Sequence, residues 1–336
     1  MSEKQGHPCA CSAGQAIPVG QAEPREKAAS GPATLPQDGP GAAAGQPDAP
    51  GPRLYYLDEV DSTNNWAKAR LRELSHLDAV YAASQTAGKG RLGRSWANAG
   101  TEALYYTIVC KQPLADPASL PLLASLAVAG AVWEEFGLAC QIKWPNDLLA
   151  GGKKLCGILC EATPDGIVCG IGVNLWQSAA FFAAEGLPYA TSVAAALGGQ
   201  NAAGAVGNAG SKANHNEPDP CAGKRNLREQ PPACTSKQNL NTLPENLRAD
   251  AARRLAERIS AQFAALLPGF AQNGFVSLRQ AYQARCVNLG RPVEFEGGRG
   301  IAREIDQRGR LVVETESGSK AVFTGEVSVR GIYGRV

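Results

Sequence analysis

The chain has 336 residues, and its 33 Lys and Arg against 31 Asp and Glu give a formal net charge of +2. So small a charge excludes a global field that would recruit nucleic acid or an anionic membrane, and any anion site must therefore be local. Residues 1–10 lack an apolar run after a basic start, and the apolar run 120–133 is too short and too rich in Ala and Gly to span a bilayer. We therefore expect a cytoplasmic protein with no membrane partner.

Residues 1–52 are rich in Ala, Gly, Pro and Gln and poor in large apolar side chains. Such a segment cannot bury enough surface to offset its ordering entropy, so it is predicted to be a disordered tail. It contains no pair of amphipathic helices, and no helix-turn-helix module is expected there.

The ordered part is predicted to begin with a strand at Leu54–Leu57, followed by a helix that starts near Asp61. The helix start carries more polar residues than one cap requires: Ser62, Thr63, Asn64 and Asn65. This succession gathers short hydrogen-bond donors and acceptors at the positively polarised end of a helix.

A glycine-rich segment, Gln85–Trp96, joins two predicted strands, Ala79–Ser84 and Ala103–Cys110. Its glycines and cations alternate along the chain: Gly88, Lys89, Gly90, Arg91, Gly93 and Arg94. No Asp or Glu occurs from residue 79 to residue 101. Glycine allows close backbone approach, and ammonium and guanidinium groups suit phosphate or carboxylate oxygens. The segment predicts an anion-binding loop, with a solvated hairpin turn as the alternative on composition alone.

An apolar helix at Leu120–Phe136 is predicted to lie buried against the sheet. Beyond it, Gly151-Gly152 between apolar runs predicts a two-residue hairpin turn. In that register Leu148 faces Leu155 and Asp147 faces Cys156, so that Asp147 and Lys154 become diagonal neighbours on one face. One ligand could contact both side chains, and a surface ion pair is the alternative. No Walker sequence GxxxxGK[ST] occurs.

The run Ile167–Leu175 reads as a strand interrupted by glycines, where missing side chains let another group approach the backbone. The segment 198–244 has no apolar period and is predicted to be an unstructured insertion. Two helices are predicted after it, at 245–267, with Leu247 among the inward positions, and at 276–285. Short strands at 293–295, 300–305, 311–314 and 321–330 then predict a small β-barrel-like domain.

Ten cysteines occur, but no CxxC pair does, and Cys156, Cys160 and Cys169 lie in apolar, strand-like runs. This pattern favours buried free thiols over disulfides or a zinc site. No metal ligand is assigned.

Four motifs, in this order and spacing, closely resemble the biotin protein ligase family: 61–64, 85–96, 143–148 and 154–159. The likeness covers residues 54–336 apart from the insertion. It implies an α+β fold, with a mixed-sheet catalytic domain of the biotin/lipoate ligase (class II synthetase-like) type and a small C-terminal SH3-like β-barrel. The implied division is a tail at 1–52, a catalytic domain at 53–287 and the C-terminal domain at 288–336.

The resemblance implies an ATP-dependent ligase that forms biotinyl-5'-AMP from biotin and MgATP, with no tightly bound prosthetic group. The biotinyl group would then pass to one lysine of a biotin carboxyl carrier protein or domain. Without a DNA-binding module the repressor role of some family members is not expected, and a homodimer is left open.

The resemblance also implies roles for individual residues. Those implied to bind biotin are Ser62, Thr63, Asn64, Gln85, Lys89, Gly90, Arg91 and Lys154. Those implied to bind ATP are Arg91, Arg94, Lys154 and Asn174, and Trp96 is expected to wall the pocket. Arg91, Lys154 and Asp147 are the implied catalytic residues, with Asp147 orienting or deprotonating the acceptor amine. Lys89 stands where the family usually has Arg, so charge survives there but bidentate geometry does not.

Two other functions stay open. A lipoate or octanoate ligase or transferase of the same fold would need an apolar pocket for its acid substrate, without hydrogen-bond partners for a ureido ring. A non-catalytic biotin or adenylate sensor would keep the binding loop but would not turn over.

Overall fold

The computed structural model describes residues 51–204, 244–323 and 327–333. The predicted tail, up to residue 50, and the predicted insertion, from residue 205 to 243, lie outside the described residues. The predicted start of the insertion at 198 is wrong, because helix α4, Val193–Gly204, continues past it. Ser192 Oγ accepts a hydrogen bond from the Ala195 amide at 3.1 Å, and Val193 and Ala194 are buried, so that the helix is anchored at its start.

A mixed seven-stranded sheet forms the larger part of the structure. Its strands are β1 Leu54–Val60, β2 Ala79–Gln85, β3 Ala103–Cys110, β4 Gln141–Lys143, β5 Asp147–Ala150, β6 Lys153–Thr163 and β7 Gly166–Asn174. Their order is β1-β2-β3-β7-β6-β5-β4, with β1 and β2 parallel and the other neighbours antiparallel. Every residue of β3 is buried, Thr107 included, because this central strand is covered on both faces of the sheet.

Helices cover the two faces of this sheet. On one face, α2 Leu120–Phe136 packs against α5 Glu245–Asn273 and the strands, forming the main core. On the other, α1 Thr63–Ala69 buries Ala67 with Val80, Val109 and Val168. Successive residues of β2, such as Ala79 and Val80, pack into the cores on opposite faces of the sheet, because side chains alternate between the two faces along a strand.

The helix α2 is confirmed as a core helix. Residues 117–136 are long and apolar enough to cross a membrane by length and composition, but 67% of the most apolar window is buried within the protein. A core helix of a soluble protein passes the same test. Glu135 at its end contacts Arg254 at 2.9 Å and Arg258 at 2.7 Å on α5.

The helix α5 is longer than predicted and continues to Asn273, because Leu267 and Phe270 remain buried. Leu255, Ile259 and Phe263 face the core as predicted, whereas Leu247 is 45% exposed, so that its predicted core position is wrong. The last helix, α6 Arg279–Arg285, starts after a 3-10 turn at Gly274–Ser277, where sequence periodicity predicted helix. The two remaining helices are α3 Ala179–Ala184 and α4.

The β5–β6 hairpin turns at Gly151-Gly152 as predicted, but its predicted register is wrong beyond the first two pairs. Ala150 faces Lys153 and Leu149 faces Lys154, after which a bulge leaves Leu148 opposite Cys156 and Asp147 opposite Gly157. The extra residue, Leu155, is fully buried. Core burial of Leu155 outweighs regular pairing, and the bulge turns the strand at this point.

A separate five-stranded sheet follows, in the order β11-β10-β9-β8-β12. Its strands are β8 Pro292–Phe295, β9 Gly298–Ile305, β10 Leu311–Thr315, β11 Gly318–Val322 and β12 Ser328–Val329. The predicted single strand over 321–330 is therefore wrong, since β11 and β12 lie at opposite edges. The indole Nε1 of Trp144 donates to the Gly309 carbonyl at 2.9 Å, which ties this sheet to the β4–β5 connection. The expected α+β fold with a small C-terminal β domain is confirmed.

Candidate active site

All of the predicted site residues line one cavity of about 610 Å³ beside the seven-stranded sheet. The volume is within the range of small-molecule sites, about 300–1,000 Å³. The predicted residues around it are Ser62, Thr63, Asn64, Gln85, Lys89, Gly90, Arg91, Arg94, Trp96, Asp147, Lys154 and Asn174. Their shared location is a fact of the fold, while the role of each stays a prediction.

The start of α1 fixes the orientation of one amide at the cavity. The Thr63 backbone amide and hydroxyl both donate to Gln85 Oε1, at 2.9 and 3.2 Å. The amide nitrogen of Gln85 is therefore the group left to donate to a ligand. Ser62 occupies the cap position of α1 and is buried, but its hydroxyl does not cap the helix. The polar run thus serves the cavity more than the helix end.

Asn64 is held inside the protein. Its Nδ2 donates to the Leu159 carbonyl at 3.2 Å and to Glu161 Oε2 at 2.7 Å, and its Oδ1 accepts from the Thr107 hydroxyl at 2.7 Å. Both amide hydrogens are thus used by strand β6, and the amide oxygen is used by β3. Asn64 lines the cavity, and its predicted contact with biotin stays a prediction.

Glu161 anchors Asn64 from behind the cavity lining. Burial raises the pKa of the Glu161 carboxyl, but hydrogen bonds from Lys68 and Asn64 and the charge of Lys68 outweigh it, so that the pKa lies below its ordinary value. Lys68 Nζ is 2.6 Å from Glu161 Oε1. The carboxylate therefore stays ionised and keeps the Asn64 amide in place.

The glycine-rich segment folds as a narrow hairpin over the cavity. The Gly90 amide donates to the Arg94 carbonyl at 2.7 Å, and the Trp96 amide donates to the Gly88 carbonyl at 2.9 Å. Leu92 at the tip has φ 57 and is 69% exposed. The segment therefore forms a hairpin whose residues line the cavity, and its predicted anion binding stays a prediction.

The loop cations separate toward different partners. Lys89 Nζ donates to Asn65 Oδ1 at 2.9 Å, on the side of α1, while Arg91 donates to Asn146 Oδ1 at 2.6 Å, on the side of the β4–β5 connection. The Asn146 amide nitrogen in turn donates to the Ile158 carbonyl at 3.0 Å. Arg91 therefore lies toward the β4–β5 connection, which leads directly into Asp147.

The interrupting glycines of β6 and β7 make room for protein side chains. A Cβ at Gly172 would lie 2.6 Å from Trp96 Cε2, and one at Gly157 would lie 2.7 Å from Trp96 Cζ3. A Cβ at Gly170 would lie 2.3 Å from Asn64 Oδ1. Trp96 thus lies flat over the two strands, and Lys154 Nζ stands 5.7 Å from its ring centre.

A carboxylate with two partners also lines the cavity. Lys154 Nζ is 2.8 Å from Asp147 Oδ1, and the Tyr333 hydroxyl donates to Asp147 Oδ2 at 3.0 Å. The predicted proximity of Asp147 and Lys154 is confirmed even though the register that suggested it is wrong. Only 12% of the Asp147 side chain is exposed, so the contact between Asp147 and Lys154 is not a surface ion pair.

At the end of β7, Asn174 Nδ2 donates to the Thr191 carbonyl at 3.0 Å, and Gln177 Nε2 donates to Asn174 Oδ1 at 3.1 Å. Gln177 Oε1 is buried and has no hydrogen-bond partner within the described part of the chain. A buried acceptor without a partner is costly, so this amide suits a ligand that brings a donor.

Sequence reasoning missed several residues that line the cavity. Asn146 was within a recognised motif and could have been found from its polar side chain beside Asp147. Gln177 follows a strand end, which is a weak signal. Tyr333 carries no signal, because it is 186 residues from the carboxylate that it contacts.

The buried cysteines take no part in this arrangement. Within the described residues Cys110, Cys140, Cys156, Cys160, Cys169 and Cys286 are free thiols. Burial raises the pKa of the Cys156 thiol well above its ordinary value, which makes it a poor nucleophile. The prediction of buried free thiols holds for five of these cysteines, while Cys160 is a free thiol that is only partly buried.

Two family models match the chain. The model of the biotin/lipoate A/B protein ligase family matches residues 55–174, and the biotin protein ligase C terminal domain matches residues 289–330. The first match ends where β7 ends, and the second covers most of the five-stranded sheet. Together they cover the strands that build the cavity wall and the sheet that carries Tyr333.

Relatives of known name share parts of this sequence. The bifunctional ligase/repressor BirA of Bacillus subtilis is 35% identical over 160 residues, 44% of this chain and 48% of the relative, so that the chain spans about half of its length. The biotin--[acetyl-CoA-carboxylase] ligase of Mycobacterium tuberculosis is 28% identical over 288 residues, 82% of this chain and 88% of the relative.

Among solved structures, the fold is similar to that of a biotin protein ligase from Aquifex aeolicus in complex with biotin and ATP. The TM-score is 0.57 at 24% identity, with 83% of this chain and 98% of that chain covered. At that identity the likeness speaks for the fold.

Proposed function

The chain belongs to the biotin protein ligase family, and on that premise we propose that it activates biotin with MgATP and transfers the biotinyl group to a lysine of a carrier protein. The observation that carries the proposal is one cavity with three chemically different groups in its lining. These groups are the oriented amide of Gln85, the cations of the glycine-rich loop and the Asp147–Lys154 pair.

The oriented amide suits the ureido ring of biotin. Gln85 presents an N–H donor, because its oxygen is occupied by Thr63, and the Ser62 hydroxyl can donate or accept. A ligand without matching polar groups would leave these buried groups unpaired, which disfavours it strongly. This feature favours biotin over lipoate or octanoate as the acid.

In the first half-reaction, a biotin carboxylate oxygen forms a bond to the α-phosphorus of ATP, and the bond to pyrophosphate breaks. Two anions must approach each other, and charge grows at the phosphorus. Arg91, Arg94 and Lys154 supply the positive charge that offsets this repulsion, and Lys89 adds to it from the α1 side. Magnesium enters as part of the substrate MgATP.

In the second half-reaction, the acceptor lysine amine gives up a proton and its nitrogen attacks the biotinyl carbonyl carbon. A C–N bond forms, the C–O bond to the phosphate breaks, and AMP leaves with the electron pair. Asp147 is the carboxylate at hand to orient the amine and take its proton. The protein needs no covalent intermediate of its own.

The acceptor that we propose is the biotin carboxyl carrier domain of a biotin-dependent carboxylase, since relatives carry the name biotin--[acetyl-CoA-carboxylase] ligase. We place the reaction in the cytoplasm. The division into a catalytic part, 53–287, and a C-terminal part, 288–336, belongs to the same proposal.

The test is to incubate the protein and MgATP with labelled biotin or labelled lipoate, each with and without a carrier domain. The proposal expects label on the carrier lysine with biotin and none with lipoate. Label only with lipoate would refute the choice of biotin. Adenylate that never reaches the carrier would favour a sensor.

A further inference from the structure

The C-terminal sheet contributes a side chain to the catalytic cavity. The Tyr333 hydroxyl donates to Asp147 Oδ2 at 3.0 Å, and Lys143 Nζ stands 5.1 Å from the centre of the Tyr333 ring. Lys143 faces Asp147 directly across strands β4 and β5. Tyr333 therefore meets the carboxylate on the side opposite Lys154, and the cation over its ring favours that position.

The chain around Tyr333 is built to hold it there. Strand β12 pairs with β8, the Arg330 amide donates to the Pro292 carbonyl at 3.0 Å, and Ile332 is buried. Tyr333 itself has φ 58, a left-handed backbone conformation that is disfavoured for a bulky side chain. A residue is held in such a conformation only when its surroundings compensate, and such residues concentrate at functional sites.

The two oxygens of Asp147 have different neighbours. Oδ1 contacts Lys154, and Oδ2 accepts the Tyr333 hydroxyl. In the proposed first half-reaction Lys154 turns toward the phosphate and carboxylate of the substrates, which uncovers Oδ1. A carboxylate held at one oxygen only can keep the other directed at an incoming amine, whereas one without any hydrogen bond can rotate about its last side-chain bond.

We propose that Tyr333 is a positioning residue for amide formation, which holds Asp147 by Oδ2 so that Oδ1 faces the acceptor lysine once Lys154 has moved to the substrates. This inference rests on the proposed function. The proton leaves the acceptor amine for Asp147 Oδ1, the amine nitrogen bonds to the biotinyl carbon, and AMP departs with the electrons of the broken C–O bond. Tyr333 itself gains and loses no proton.

The phenol suits a role as a permanent donor. Burial, then the charge of Asp147 and the hydrogen bond to it, raise the pKa of Tyr333 far above its ordinary value. The hydroxyl therefore keeps its proton through the pH range of any assay of this reaction. A role as a simple latch between the sheets would be different, because its loss would loosen the cavity as a whole and affect both half-reactions.

The test is Tyr333→Phe, which removes the hydroxyl and keeps the ring. Adenylate formation is measured from biotin and MgATP without an acceptor. Transfer is measured in a single turnover, by mixing the preformed enzyme–adenylate complex with a biotin carboxyl carrier domain over a range of concentrations. Tyr106→Phe is the matched control, because the Tyr106 hydroxyl is also buried and bonds to Ser260 Oγ at 2.7 Å on the other face of the sheet.

In Tyr333→Phe the maximal transfer rate should fall roughly 10- to 100-fold, the range expected for a lost hydrogen bond to a charged group. Adenylate formation and the carrier concentration for half-maximal transfer should change less than about threefold. Tyr106→Phe should leave both half-reactions unchanged. An unchanged transfer rate in Tyr333→Phe, or an equal fall in the rates of both half-reactions, would overturn the role proposed for Tyr333 and leave the proposed function standing. A wild-type protein that forms no biotinyl-AMP would overturn the proposed function and this inference with it.

Discussion

The close packing of Trp96 on Gly172 yields a quantitative prediction. In Gly172→Ala the new Cβ would lie 2.6 Å from Trp96 Cε2 and 2.7 Å from Cζ2. Carbon atoms pack favourably at about 3.5 Å, so the indole must move by about 0.9 Å or the strand must yield. The backbone conformation at Gly172 is open to alanine, since its φ is not in the left-handed region. The cost therefore comes from the contact with the ring.

Overpacking of this kind costs about 1–3 kcal/mol. The midpoint of thermal unfolding should fall by on the order of 5 °C, since about 1 kcal/mol corresponds to roughly 2–4 °C in a protein of this size. Because Trp96 walls the cavity, its displacement should also raise KM for biotin or ATP by about 5- to 100-fold. Both quantities are measurable by thermal denaturation and by adenylate formation.

The control is Gly269→Ala, where the nearest atom to a new Cβ is 3.8 Å away and the residue lies in helix α5. Gly269→Ala should leave the free energy of unfolding unchanged or raise it by up to about 1 kcal/mol, because alanine has a higher helix propensity than glycine. The decisive comparison is a double-mutant cycle with Trp96→Ala. If the penalty of Gly172→Ala persists in full without the indole, the contact with Trp96 is not its cause and the reasoning is refuted.

Three further predictions concern two charged residues of the cavity, Arg91 and Asp147, and the carboxylate that holds Asn64, Glu161. Arg91→Ala should lower the rate of adenylate formation by about 100-fold or more. Arg91→Lys should lower that rate by less, because lysine keeps the charge but not the planar guanidinium group. Equal losses in the two variants would contradict a role for the guanidinium geometry. Asp147→Asn should slow transfer to the carrier by about 100-fold while adenylate still forms, and a normal single-turnover transfer rate would exclude Asp147 as the proton acceptor. Glu161→Gln should lower the free energy of unfolding near pH 7. Since the pKa of Glu161 is lowered on folding, its stabilisation is present above the ordinary value of 4.5 and is lost as pH falls through the lowered value. The difference between Glu161→Gln and wild type should therefore shrink in acid, and a difference that grew in acid would contradict the assignment.

Much of the fold could be predicted because the relevant signals are local. The β-branched and aromatic residues of β3 indicated a strand, and the glycine pair at 151–152 indicated the hairpin turn. The error in register arose from Leu155, whose burial in the core shifts the pairing by one residue. A sequence window shows which residues turn the chain, but it does not show which side chain the core will take.

The sequence predicted which residues line the candidate site, but it did not predict how their side chains are oriented. The polar run after Asp61 and the cations of the loop do line one cavity, yet Asn64 turns away to Glu161 and Thr107. Lys89 and Arg91, two positions apart in one loop, contact partners on opposite sides of the loop. The orientation of Asn64 depends on partners from β3 and β6. The orientations of Lys89 and Arg91 depend on partners from α1 and the β4–β5 connection, which no spacing within the loop encodes.

The sequence by itself determined the chemistry available to this protein: a cation-bearing glycine loop without carboxylates, a polar helix start and a Lys–Asp hairpin. Such features are local, since residue type and turn propensity act over a few positions. Only the tertiary structure decided that Gly157 and Gly172 seat Trp96, and that Tyr333 reaches Asp147 from the last strand pair. Contacts between residues so far apart depend on how two sheets pack, which follows from the burial of the whole core and not from any one segment.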